Sequence, residues 1–271
     1  MSHLQNYFDG KALYGDDFNI TQIAEWFEDE KEGFADLGAK DIENYIYDYH
    51  SLNKLHGFKY LPDKVFKKVL GFGSAYGEEL LPIKNKIQTA TIVDPSEAFV
   101  QDSIYDIPLT YVKPLPNGQL PFNDHLFDLI TCFGVLHHIP NVSSVIKELS
   151  RILESGGYIL LREPIVSMGD WREPRIGLTK RERGIPLQIL EEIITANNLV
   201  IIKCTLCDFP ITEKIFHKFG IYNSYFATLI DAWISKAFKW NLNYHPKSSI
   251  QRLRARSAFF VLKKSTTHHK T

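Results

Sequence analysis

Apolar and polar positions change period along this chain, and the change divides it. Asn19, Gln22, Ile23, Trp26 and Phe27 predict a short helix over 19–31, capped by Asn19 and apolar on one side. Ile42, Tyr45, Ile46, Tyr49 and Leu52 recur at helical spacing and predict a second helix over 41–55, capped by Asp41. From residue 65 the pattern turns to short β-prone apolar runs. Strands are predicted at 65–72, 90–94, 109–112, 127–133, 158–161, 200–207 and 258–262. Between them come a glycine-rich turn, a helix from Ser96, and a helix over 145–153 capped by Asn141 or Ser143 and closed by Gly156. A further helix is predicted over 186–197. Alternation of this kind predicts an α/β fold with a seven-stranded, mostly parallel, doubly wound sheet. The expected parts are a helical cap at 1–60, the sheet core at 61–208, a helical insert at 209–256, and the last strand with its tail at 257–271.

The insert lies between the last two strands and is too long for a bare loop. Tyr222, Phe226, Leu229, Ile230, Trp233, Ala237 and Trp240 share a helical stripe there, expected to meet the core or a second copy in a homodimer rather than a membrane surface.

Composition narrows the class. Apolar residues make up 44% of 271, enough for a packed core. Lys and Arg number 31 against 32 Asp and Glu, so no basic excess suggests a nucleic-acid partner. Three cysteines, Cys132, Cys204 and Cys207, form no disulfide framework and suit a reducing cytoplasm. Cys204 and Cys207 are three apart on a predicted strand, pointing to opposite faces, which disfavours a zinc knuckle. The N-terminus has no basic and apolar leader pattern, and no apolar stretch is long enough for a membrane span.

The first chemical signal is the stretch Val69-Leu-Gly-Phe-Gly-Ser-Ala-Tyr-Gly77, between a strand and an expected helix. Gly71, Gly73 and Gly77 allow a tight turn and close backbone approach to a ligand. Asp94 closes the next strand, where a carboxylate can accept hydrogen bonds from ribose hydroxyls. Nicotinamide dinucleotides and S-adenosylmethionine (AdoMet) are both bound this way. The last glycine interval is one residue too long for the pyrophosphate fingerprint, which favours AdoMet.

Over residues 65–165 the chain resembles the class I AdoMet-dependent methyltransferases grouped as type 11. Val69 to Gly77 aligns on their first motif, with Gly71 where an acid is usual and Ala75 where the middle glycine is usual. Asp94-Pro95-Ser96 looks like their ribose-binding acid and the residues after it. Residues 118–128 look like the loop near the adenine, with Asn117 or Pro116 where many members place an acid. Phe133-Gly-Val-Leu-His-His-Ile-Pro140 and the run 148–161 are similar to the segments around their fourth and fifth strands. The resemblance implies a Rossmann-like core and AdoMet as cofactor. It places Gly71, Gly73, Ser74, Ala75, Gly77, Asp94, Pro95, Ser96, Asn117, Gly118, Gln119 and Phe133 against it.

Methyl transfer from a sulfonium needs in-line positioning and, for a hydroxyl acceptor, removal of a proton. His137 and His138 follow the fourth strand, and imidazole suits that task near neutral pH, His137 being the first choice as base. Glu163 is a second candidate, more naturally an ion-pair partner. Trp171, Arg172, Arg175 and Arg181 follow the fifth strand, where they are expected to contact an anionic or sugar-like acceptor. Tyr45 and Tyr49 are expected to roof the site. No metal site is expected, because no carboxylate pair accompanies the two histidines in sequence, and His268 and His269 fall in a polar tail. The expected activity is O-methylation of a small molecule or glycan. The alternatives are a methyltransferase fold without activity, which Gly71 favours, and a nucleotide-dependent oxidoreductase.

Overall fold

The computed structural model describes residues 3–266. Eight strands form one sheet: β1 Phe66–Phe72, β2 Ile87–Val93, β3 Ser103–Ile104, β4 Ile107–Val112, β5 Phe127–Phe133, β6 Leu153–Pro164, β7 Leu199–Cys207 and β8 Ser257–Lys264. Their spatial order is β3-β4-β2-β1-β5-β6-β8-β7. The pairs among β4, β2, β1, β5 and β6 are parallel, whereas β8 runs antiparallel between β6 and β7. The fold is therefore the expected Rossmann-like sheet, with one strand more than expected. That strand is the two-residue β3, joined to β4 through Tyr105 and Asp106, both left-handed. A Tyr-Asp turn lacks the Asn-Gly or Asp-Gly signal of a two-residue hairpin, so nothing in the residues announced it.

Among the described residues seven α-helices accompany the sheet: α1 His3–Phe8, α2 Ile20–Glu30, α3 His50–His56, α4 Val142–Ile152, α5 Leu187–Ala196, α6 Pro210–Lys218 and α7 Tyr225–Ala237. Helix α2 has the predicted capping box between Asn19 and Gln22. α4 buries Val142, Val145, Ile146, Leu149 and Ile152 against β5 and β6, which are covered on both faces as parallel strands require. Its N-terminus is capped from far away: Asp16 accepts from the Ser143 amide at 2.8 Å and the Ser143 hydroxyl at 2.6 Å. Asn141 instead donates its side-chain amide to the Asn117 carbonyl.

Four local expectations are corrected. The helix over 41–55 is reduced to α3; residues 41–49 are turns and irregular chain, with Ile42 and Ile46 exposed. Tyr45, Tyr47 and Tyr49 alternate there and pack on Tyr76, His50 and Arg162, so tertiary contacts override the helical spacing. The turn at Gly77 leads into 3-10 segments, Glu78–Lys86, kinked at Ile83 after Pro82. The helix expected from Ser96 is one 3-10 turn, Glu97–Phe99, with Ser96 capping Ala98. Gly156 does not close α4, which stops at Ile152; Leu153 already pairs with Phe127 in the sheet.

The apolar stripe of the insert is not buried in the core. α7 buries Ala227, Thr228, Asp231 and Ser235, while Phe226, Trp233 and nearby Trp240 are exposed. Asp231 decides this orientation, because its carboxylate accepts from the amides of Asp208 and Phe209 and from Thr212. A buried acid with three donors fixes the inward face. Cys204 and Cys207 are free thiols on β7, and burial raises both above their ordinary range. No helix among the described residues is long and apolar enough to cross a membrane.

Candidate active site

The chain moves outward from β1 through β2 to β4, then returns to β5 on the other side of β1. Ligands in open α/β sheets bind at such a switch point, beyond the carboxyl ends of the strands. A cavity of about 510 Å³ lies there, lined by Phe72 and Gly73 after β1, Asp94 after β2, Phe133 and Gly134 after β5, and Arg162 of β6. Tyr45, Tyr47 and Tyr49 and the α2 residues Phe27 and Glu30 line it as well.

One half of the cavity is built from segments close in sequence. Gly73 has φ +63°, and a Cβ there would stand 2.4 Å from Val135, so only glycine lets β1 and the segment after β5 come together. Ala75 also takes a left-handed φ, +44°. Asp94 accepts from the Ala75 amide at 3.2 Å and the Ser96 amide at 3.0 Å. Burial raises its carboxyl to about 6 in spite of these bonds. Ser74, Ala75 and Pro95 line the cavity beside it.

Gly71 explains its own departure from the acid. A Cβ at Gly71 would lie 2.6 Å from the Ser74 hydroxyl and 2.7 Å from Ile92, leaving no room for a carboxylate. A carboxylate nevertheless reaches the cavity, from Glu79. It is 3% exposed, and burial raises its carboxyl to about 7, opposed by hydrogen bonds from Ser74 and Thr131. No cation pairs with Glu79 or Asp94 among the described residues. Sequence reading missed Glu79 because its helical period breaks at the 3-10 segment that turns it inward.

Other cofactor candidates divide. Gly118 and Phe133 line the cavity, together with Pro114, Leu115 and Pro116. Asn117 and Gln119 are in the same loop without lining it; the Asn117 side chain accepts from the Gln119 amide. Gly71, Gly77 and Ser96 shape the turns behind the wall, and Ser96 donates to Glu32.

The other half gathers residues distant in sequence. His137 and His138 sit on a 3-10 turn after β5, their rings 4.1 Å apart. His137 Nδ1 is 2.9 Å from Glu163, which also accepts from the amides of Val135, Leu136 and His137. His138 Nδ1 is 2.8 Å from Glu30 of α2. The Nε2 atoms of both rings stand 3.5 Å from the same oxygen of Glu182. Burial alone would lower His137, but the hydrogen bond to Glu163 and the nearby Glu182 carboxylate push it up to about 9. His138 is lowered, by burial first and then by the neighbouring His137 charge. The carboxylates absent from the local sequence thus arrive from α2, β6 and the loop after it.

The expected arginine wall is elsewhere. Arg172 pairs with Asp170, Arg181 with Asp29, and Arg175 donates to the carbonyls of Glu182, Thr179 and Lys180. Trp171 is buried against Tyr14 and Phe8. None of the four lines the cavity, because each already has a partner within the fold. Arg162 lines it instead. It is 8% exposed, stacks at 3.8 Å over Tyr49, and its Nη1 has no hydrogen-bond partner. Tyr45 and Tyr49 line the cavity. His268 and His269 lie outside the described residues.

This geometry disfavours a dinucleotide. A pyrophosphate needs the N-terminus of an α-helix, whereas the turn here leads into Glu78 and Glu79 on a 3-10 segment. Residues 70–161 match the family described as a methyltransferase domain. That match covers about a third of the chain. Over 51 residues the chain is 31% identical to a ubiquinone biosynthesis O-methyltransferase of Vibrio cholerae, a match covering 19% of this chain and 21% of that protein. Over 163 residues it is 27% identical to a tRNA U34 carboxymethyltransferase of Campylobacter fetus, covering 57% and 55%. The match thus spans about a fifth of the first curated relative and about half of the second. A phosphoethanolamine N-methyltransferase 2 of Haemonchus contortus, solved with S-adenosyl-L-methionine, has the same fold at a TM-score of 0.61 and 16% identity. That likeness covers 90% of this chain and 60% of the other. The methyltransferase domain accounts for β1 to β6, while the N-terminal segment supplies Glu30 and the tyrosines to its cavity.

Proposed function

We propose that this chain is an AdoMet-dependent methyltransferase that methylates a hydroxyl of an anionic small molecule or glycan. The observation that carries the reading is the pair of buried carboxylates, Asp94 and Glu79, on one cavity at the switch point, neither ion-paired with a cation among the described residues. Burying an unpaired acid is costly, and a cationic ligand removes the cost. AdoMet offers a ribose diol for Asp94 and an ammonium for Glu79, which takes over the task of the acid that Gly71 excludes.

Arg162 supports an anionic acceptor on the other side. A buried guanidinium with a free donor suits a carboxylate or phosphate. In the reaction the acceptor oxygen forms a C–O bond to the methyl group as the C–S bond breaks. The electron pair returns to sulfur, and the sulfonium becomes a neutral thioether. His138 accepts the hydroxyl proton, since its lowered pKa keeps it neutral, whereas His137 keeps its own proton between two carboxylates. Base work therefore moves from His137, the first choice on sequence, to its neighbour.

Calorimetric titration tests the cofactor. AdoMet and S-adenosylhomocysteine are expected to bind the wild-type chain and to bind Asp94→Ala and Glu79→Gln at least ~10-fold more weakly. A wild-type chain that binds neither compound ends the proposal. An acceptor screen then compares acidic sugars and phenols with their neutral counterparts, the acidic ones being expected to react.

A further inference from the structure

We infer that His137, His138 and Glu182 form a binding site for one divalent transition-metal ion, with zinc the best match. Their ligand atoms all lie within 4.8 Å of one another. Both Nε2 atoms face the same Glu182 oxygen at 3.5 Å. That separation is too long for a hydrogen bond, which would draw N and O to ~2.9 Å. It is close to the edge of a tetrahedron around zinc, where bonds of ~2.1 Å place ligand atoms ~3.4 Å apart.

The surroundings are those of a metal site. Each histidine presents Nε2 to the common point and has Nδ1 held by a second carboxylate, His137 by Glu163 at 2.9 Å and His138 by Glu30 at 2.8 Å. Such carboxylate–histidine pairs fix the tautomer and orient the ring toward an ion. Glu163 is itself fixed by three backbone amides, and Glu30 accepts from Thr179 and the Arg181 amide. The second oxygen of Glu182 accepts from the Thr179 amide, which leaves Oε2 for the ion. Three carboxylates therefore converge on two imidazoles. The neighbouring cations are committed elsewhere: Lys180 and Arg181 pair with Asp29, while Arg175 and Arg183 bond carbonyls. A dication balances this charge.

Three protein ligands leave a fourth position, and all three ligands line the cavity, as in catalytic rather than structural zinc sites. There the ion lowers the pKa of an acceptor hydroxyl, whose proton leaves to solvent, and the bound oxygen then attacks the methyl group. With the ion in place, both histidines serve as neutral ligands, His137 releasing its Nε2 proton to solvent, and the ion replaces His138 in acidifying the hydroxyl. This use of the ion rests on the proposed function; its binding does not.

The test is calorimetric titration of the chelator-stripped full chain with zinc chloride, without AdoMet. One zinc per chain is expected. Cobalt(II) in its place is expected to give the intense visible bands of a four-coordinate ion. Glu30→Gln is expected to weaken zinc binding roughly 10–100-fold by releasing the His138 ring, and His138→Gln and Glu182→Gln by more. Circular dichroism shows whether each variant is folded, and a zinc-dependent rise in wild-type Tm gives a reading that needs no variant. Absence of zinc binding by the wild-type chain, or equal affinity in folded His138→Gln and Glu182→Gln, overturns the site. Since AdoMet is absent from the titration, a failure here leaves the cofactor reading intact, and failure to bind AdoMet leaves the zinc site intact.

Discussion

The two halves of the cavity were assembled by different means. The half with Asp94 comes from β1, β2 and the turns directly after them, so its groups lie within about thirty residues of chain. The half with the histidines draws Glu30 from α2, His137 and His138 from after β5, Glu163 from β6 and Glu182 from a loop beyond. The first is a local consequence of a strand–turn–strand unit. The second exists only when the N-terminal segment docks on the sheet. Trp26 donating to the His138 carbonyl at 2.7 Å and Asp16 capping α4 are two of the contacts that dock it.

Breaking the docking should separate the halves most sharply. Arg183 is fully buried and donates to the carbonyls of Tyr14, Leu136, His137 and Pro140, tying the N-terminal segment to the histidine turn. Arg183→Met strands these acceptors and is expected to cost about 3 kcal/mol in urea unfolding. It should also lower kcat more than AdoMet affinity. An equal loss of both would show that the halves are one unit.

Asp94→Ala acts on the other side. It is expected to reduce AdoMet affinity roughly 10–100-fold while leaving zinc affinity within about 3-fold, both read by calorimetry. A smaller effect follows for Arg162→Met, about 10-fold in KM for an acidic acceptor with AdoMet affinity unchanged. If AdoMet affinity falls instead, Arg162 belongs with the cofactor.

The smallest effect is a pH dependence. Burial raises Glu79 from its ordinary 4.5 to about 7, so the ligand-free fold favours the protonated acid. Its contribution to stability is present below pH 4.5 and is lost as pH rises through 7. AdoMet ammonium needs the ionised form, so affinity should increase a few-fold as pH rises through about 7. In Glu79→Gln that increase should be flat. A wild-type affinity independent of pH over this range would remove Glu79 from the cofactor half.

Much of the sheet was legible because buried parallel strands are continuous apolar runs: 127–133 was read with its bounds intact. The tyrosine segment was misread because Ile42, Tyr45, Ile46 and Tyr49 fit a helix as well as a chain that points alternate tyrosines inward. The stripe of α7 does not meet the core, because the hydrogen bonds of Asp231 determined the buried face. Arg181 looked available because its partner Asp29 lies far off in sequence, whereas Arg172 and Arg175 are taken up by groups within a few residues.

By itself the sequence determined the Rossmann-like core, the glycine turn and the acid at 94, since strand period, left-handed turns and a strand-end carboxylate are local properties. Only the tertiary structure decided that Glu79 replaces an acid for which Gly71 has no room. It alone brought three carboxylates to the two histidines and left the buried Arg162 Nη1 without a hydrogen-bond partner. The reason is physical: charge, burial and coordination depend on which distant groups meet across the cavity, and no spacing along the chain encodes that.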